Sequence, residues 1–252
     1  MPSTSFSSIV PVPLSATTPR FLRQHLIWPL IAALAASAVL MGAGGDQWLA
    51  DHLYQLQGGH WQLKDAWWTQ TVLHRGGKWL STAAALVVML LYFHHGRYNR
   101  DRQLRAGLLY LVFTLAAATA SVSVLKSITH MDCPWDLARY GGTHPFIGLL
   151  QARPAGLGPG NCFPAGQASA GYGWLGLYFF ALLYRPAWRW AGLATGLAAG
   201  VILGGAQQLR GAHFASHDLW TLMVCWGVAL GLYLLVRRRV SMPSATPAGA
   251  RA

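Results

Sequence analysis

The chain reads as an all-α, polytopic membrane protein, a six-transmembrane-helix bundle with external interfacial helices between spans 1 and 2. Three observations predict this class. Hydrophobic residues fill 54% of the 252 positions and charged residues only 10%, a balance that suits lipid rather than water. Apolar stretches recur near the roughly 20 residues that a hydrocarbon layer about 30 Å thick demands of a helix. Polar residues, finally, are nearly absent from the interiors of those stretches.

Residues 1–21 are rich in Ser, Pro and Thr and lack the basic start and adjoining apolar run of a cleavable signal, so they are expected to form a disordered cytoplasmic tail. Residues 22–239 form one membrane-embedded domain, and residues 240–252 a second disordered cytoplasmic tail. Spans are expected near 24–44, 78–95, 106–125, 167–184, 190–206 and 218–236. Trp28, Trp79, Trp188, Trp190 and Trp220 lie at span ends and resemble an aromatic belt. Between the first two spans, Trp48, Leu49, Leu53, Tyr54 and Leu56, then Trp61, Leu63, Trp67, Trp68 and Val72, alternate with polar residues in a loosely helical pattern broken at Gly58-Gly59. Two short amphipathic helices in the membrane interface follow, acting either as a lid or platform for a lipid or as a cap over the bundle.

Gly192, Gly196, Gly200 and Gly204 recur at four-residue intervals and leave a strip of span five free of side chains. Gly227 and Gly231 repeat the device in span six. Close packing of span five on span six or span four is expected, with homodimer formation the lesser use. The chain is read as a monomer or weak homodimer.

A net charge of +12 raises the possibility of nucleic-acid binding, but topology accounts for the excess. Arg20, Arg23, Arg97, Arg100, Arg102, Arg105, Arg185, Arg189, Arg237, Arg238, Arg239 and Arg251 fall on one side, and Lys64, Arg75, Lys78, Lys126, Arg139, Arg153 and Arg210 on the other. By the positive-inside rule both termini are cytoplasmic. A bacterial inner membrane, with the second set facing the periplasm, fits this division. Cys133 and Cys162 share the long external loop between spans three and four, and an oxidising compartment favours a disulfide between them over two buried thiols. No Cys-x-x-Cys or matching His spacing supports a zinc site.

Three polar segments adjoin spans on that outer side: Lys126 to Pro134, Pro164-Ala165-Gly166-Gln167, and Arg210-Gly211-Ala212-His213. Lys126 supplies a cation for a lipid phosphate at a low-dielectric rim. Arg210 offers a forked donor to phosphate oxygens. Gly166 lets backbone amides face an anion at a helix start, where the helix dipole favours it. A single interfacial Lys is otherwise a snorkelling anchor, and a lone His a satisfied structural residue.

Across spans three to six the segments resemble the type 2 phosphatidic acid phosphatase superfamily, with motifs Lys-x6-Arg-Pro, Pro-Ser-Gly-His and Ser-Arg-x5-His-x3-Asp. The chain has Lys126 through Cys133-Pro134, then Pro164-Ala165-Gly166-Gln167, then Ala206-Gln207 followed by His213 and His217. The resemblance implies that His213 attacks phosphorus and carries a phosphohistidine, with His217 or Asp218 orienting it. It also implies a phosphate pocket around Lys126, Arg210, Ala165, Gly166 and Gln207. Cys133, Ala165, Gln207 and His217 replace the family's Arg, Ser, Arg and Asp. Gln167 stands where the family has the histidine that protonates the leaving oxygen, and an amide cannot donate that proton. Arg210 or Arg139 could restore a guanidinium, and His130, His144 or His217 could serve as the acid.

The expected activity is therefore that of a lipid phosphatase acting on phosphatidic acid, phosphatidylglycerol phosphate, an isoprenoid diphosphate or a lipid A phosphate. Lys and Arg neutralise the charge, so no cofactor, metal or nucleotide is called for. A lipid-to-lipid phosphotransferase shares the first half-reaction. A catalytically silent relative that binds lipid phosphate is the rival from another class, and a small transporter a weaker one.

Overall fold

A computed structural model describes residues 18–98 and 101–240. Among these residues the chain is helical, with a single isolated bridge between Leu137 and His144 in place of any sheet. We number the helices α1 (Pro19–Gly42), α2 (Gly45–Leu56), α3 (Gly77–Tyr98), α4 (Arg102–Thr129), α5 (Gly166–Tyr172), α6 (Gly176–Tyr184), α7 (Arg189–Leu209) and α8 (Ala215–Val240). The tails expected at 1–21 and 240–252 lie mostly outside the described residues. The chain is already helical from Pro19, where Pro at the first helical turn and a Thr18 cap favour a start.

Among the described residues five runs are long and apolar enough to cross a membrane: Pro19–Gly42, Gln62–Tyr98, Arg102–Asp136, Pro186–Leu209 and Ala215–Arg237. The expected span at 167–184 is instead two short helices, α5 and α6, joined by a 3₁₀ turn at Gly173–Leu175. Glycine supplies the physical reason. A Cβ at Gly171 would stand 2.4 Å from the Ala199 carbonyl carbon, and one at Gly176 3.0 Å from Thr114. The segment is thus tailored to close neighbours, the α7 backbone at Gly171 and the Thr114 side chain at Gly176, rather than to an uninterrupted helix. It also forms the centre of the bundle, with Tyr178 and Phe179 packed among Tyr110, Leu111, Ala229 and Tyr233. Nearer the site, Ala165, Ala168 and Tyr172 pack on Ala118, Val122 and Cys225.

The glycine strip of α7 meets the preceding helices. A Cβ at Gly192, Gly196 or Gly200 would lie 2.7, 2.5 or 2.0 Å from Leu177, Leu175 or Tyr172 respectively, whereas Gly204 faces the Asp218 carboxyl group at 2.7 Å. Close approach of spans five and four is therefore the main result, with one contact to α8. Gly227 and Gly231 do not repeat the device, since a Cβ at either meets nothing within 4 Å.

The region between the first two spans departs from the expected pair of interfacial helices. α2 is one, and Gly58 and Gly59, at φ 80° and 77°, break the chain after it. The second is absorbed into the next span: a π-helical turn at Trp68–Gly76 runs directly into α3. α2 and the turn after it cap one end of the bundle. The Asp46 carboxylate accepts the Ser216 amide at 2.9 Å and so caps α8, and Gln57 donates to the Leu209 carbonyl at 2.9 Å. Burial pushes the Asp46 carboxyl group above its usual pKa, partly offset by these bonds from Ser216.

Candidate active site

The three polar segments meet at the capped end. α4 brings Lys126 there at its C-terminal turn, α5 starts there with Gly166 and Gln167, and the link from α7 to α8 carries Arg210 and His213. Gly211 makes that link possible. Its φ is 72°, and a Cβ on it would strike the Trp61 ring at 2.4 Å. The Trp135 amide fastens the same link by donating to the Gly211 carbonyl at 2.9 Å.

His213 and His217 are both buried, and their Nδ1 atoms lie 3.3 Å apart. One ring donates and the other accepts. If His213 donates, its Nε2 keeps a free lone pair and the proton of His217 sits on Nε2, an atom that is buried without a partner. Burial first, then the adjacent His217 and Lys126, hold the His213 imidazole well below its usual value of 6.5, so it is neutral at pH 7. Lys126 also approaches Gly166: a Cβ there would be 3.6 Å from Nζ.

Asp218 is not brought to His213. Its carboxylate accepts the Gln208 amide and faces Gly204. The cause is position: His213 lies on the link before α8, whereas Asp218 sits in the first turn of α8 on the side that faces α7. Of the two orienting candidates, His217 is the one in contact. Arg210 is buried but committed, donating from Nε to the Lys64 carbonyl at 2.7 Å and from Nη1 to Gln207 Oε1 at 2.8 Å. It does not present a free fork; it holds Gln207, whose Nε2 is buried with no partner. Ala165 is fully buried, its amide donating to the His217 carbonyl at 3.2 Å and its carbonyl accepting from Thr221 at 3.1 Å. Cys133 and Cys162 are joined by a disulfide with their Cα atoms 5.3 Å apart, tying the first motif to the second. Arg139 is turned outward to Asp51, at 2.7 Å from Nε to Oδ1.

The proposed acids separate. His144 is paired with Asp132 at 2.9 Å, in a cluster that Arg153 completes. His130 is exposed at the left-handed end of α4. His74 emerges instead, a residue whose scattered position in the sequence gave no signal beyond its lying at a helix end on the motif side. It lines a groove of about 810 Å³ between α3, α4 and α5, together with Lys78, Lys126, Gly166 and Gln167 at one end and Leu86, Met89, Val112 and Leu115 along its length.

Residues 107–241, from within α4 to the end of α8, match the PAP2 superfamily. The chain belongs to the PAP2 superfamily. PAP2 proteins are generally phosphatases, and the match covers all three motif segments, with His213 and His217 inside it. α1, α2 and α3 lie ahead of the PAP2 stretch. No curated relative and no solved structure matches the chain.

Proposed function

We propose that the protein hydrolyses a phosphate monoester or diphosphate carried by a lipid, through a phosphohistidine on His213, at the outer face of a bacterial inner membrane. The observation that carries this reading is the buried His213–His217 pair beside Lys126. His213 Nε2 attacks phosphorus, and His217 accepts the Nδ1 proton and keeps the ring aimed. Lys126 neutralises the phosphate charge where little water competes. The orphaned donors Gln207 Nε2 and His217 Nε2 are groups that phosphate oxygens would satisfy, and buried donors without partners call for such an explanation.

The groove supports a lipid rather than a soluble ester. Its polar end holds Lys126 and Gln167, and its apolar wall reaches Val112, about 20 Å farther along α4 at about 1.5 Å per residue. In this reading α5 and α6 together form a sixth, broken span, which leaves both termini on the cytoplasmic side, as the basic residues favour.

Phosphate release by the purified protein from phosphatidic acid, phosphatidylglycerol phosphate, an isoprenoid diphosphate and a lipid A phosphate tests the reading. Release from at least one is expected, with loss on the order of 10⁴-fold or more in His213→Ala. No release from any of them, or release that His213→Ala leaves intact, overturns it. Transfer of phosphate to a second lipid in place of water would assign the phosphotransferase alternative.

A further inference from the structure

We propose that His74, from a helix outside the PAP2 stretch, is the general acid that Gln167 cannot be. The inference rests on the phosphatase reading above. Gln167 Nε2 donates to the His74 carbonyl at 2.6 Å, so the position that should carry the acid is bonded directly to this residue. The two share the polar end of the groove with Lys126 and Gly166. His74 Nδ1 is buried and makes no hydrogen bond of good geometry, and the Gln207 side chain lies close enough to interact with the ring. The π-helical turn at Trp68–Gly76 carries it on the way into α3. Among the other histidines near this end, His144 is paired with Asp132 and His217 with His213.

The charges around His74 are Arg75 and Lys78 on its own helix, Lys126 from α4, Arg210 from the end of α7, and His213 beyond. All the permanent charges are positive, so an imidazolium there needs a counter-charge. A substrate phosphate bound at Lys126 provides it, which couples protonation of the acid to occupancy of the site. In the first step the His213 Nε2–P bond forms and the P–O bond to the lipid breaks, the lipid oxygen taking the proton from His74. In the second, water attacks phosphorus and its proton passes to a phosphate oxygen, while His74 regains its proton from bulk water. The N–P bond then breaks, and inorganic phosphate leaves with both histidines restored.

The test compares two leaving groups. On a lipid phosphate, whose alkoxide needs a proton, His74→Ala and His74→Gln should each lower turnover by about 10²- to 10⁴-fold. On 4-nitrophenyl phosphate, whose leaving group departs without one, the loss should stay under about tenfold, and the alkaline limb of the lipid pH profile should disappear. Adding Gln167→His to His74→Ala should restore lipid turnover, which a purely structural defect would not allow. Equal losses on both substrates, or undiminished lipid turnover in both His74 variants while His213→Ala is inactive, overturns the proposal and leaves the phosphatase reading standing. Wild-type protein inactive on every substrate overturns both.

Discussion

The PAP2 stretch and the helices ahead of it meet the site in different ways. α4 through α8 bury side chains against one another, and His213, His217 and Lys126 all come from that packed body. α3 buries none of its residues and α1 only Ala33. Yet the earlier region reaches the site through one apolar cluster, Ala50, Tyr54 and Trp61 around Phe214, and through single polar contacts: Asp46 to Ser216, Gln57 to Leu209, the Lys64 carbonyl to Arg210 and the His74 carbonyl to Gln167. Two of the motif departures fall on these seams. Gln207 holds Arg210, which the Lys64 carbonyl also binds, and Gln167 holds the His74 backbone. The packed body thus carries the nucleophile, and these two altered positions join it to what precedes it, whereas Cys133, Ala165 and His217 bond within the body.

Removing an orienting group from the packed body should do most damage. His217→Ala should lower kcat about 10²- to 10⁴-fold, as loss of the partner of a catalytic imidazole does, while Asp218→Asn should change kcat by less than about tenfold. Kinetics of both variants on one substrate check this; the reverse ranking would return the orienting role to Asp218.

Packing should separate the two glycine sets. Gly200→Ala forces a methyl group against the Tyr172 ring and should cost about 1–3 kcal/mol of stability. Gly227→Ala and Gly231→Ala meet open space and should be neutral or stabilising by up to about 1 kcal/mol. Thermal unfolding in one detergent ranks all three.

The seam at α2 is a smaller matter. Asp46→Ala removes the cap on α8 and should cost about 1 kcal/mol, with His213-dependent turnover retained. A loss of turnover larger than the loss of stability would show that α2 shapes the site itself.

Acidity should have the smallest effect. The His213 ring is held well below 6.5, so its nucleophilic form persists as pH falls and is lost only through its lowered pKa. With 4-nitrophenyl phosphate, which stays ionised over this range and needs no proton from His74, kcat/KM should change less than twofold between about pH 7 and pH 6, where an unperturbed imidazole nucleophile would lose about threefold. An acid limb near the ordinary histidine value would mean that His213 is more open to water than its 7% exposure indicates.

Much of the packed body was legible in the sequence because local rules govern it. Apolar run length gave the spans, four-residue glycine spacing gave the α7 strip, and motif intervals brought Lys126, Gly166 and His213 to one end. The break within the 167–184 segment was not legible because hydropathy does not register that Gly171 and Gly176 allow close approach of Ala199 and Thr114. The turn before α3 was misread because an amphipathic pattern looks the same whether a helix ends or continues. His74 was invisible for a different reason: its partner Gln167 lies 93 residues away, and nothing in the local spacing of either residue announces the other. Arg210 was legible as a cation but not as a committed one, since its acceptors include a carbonyl from Lys64.

Ser81 gives α3 a mechanical character. Its hydroxyl donates to the Ala170 carbonyl at 2.7 Å and accepts from Trp174 Nε1 at 2.9 Å, near the polar end of the groove. Farther along, Leu86 and Met89 line the same groove but are not buried. Ser81 therefore anchors α3 beside the polar end of the groove. Under the proposed reading the headgroup meets this anchored polar end and the hydrocarbon tail an exposed apolar wall, so the protein should be strict about where a phosphate sits and lenient about chain length, saturation and branching.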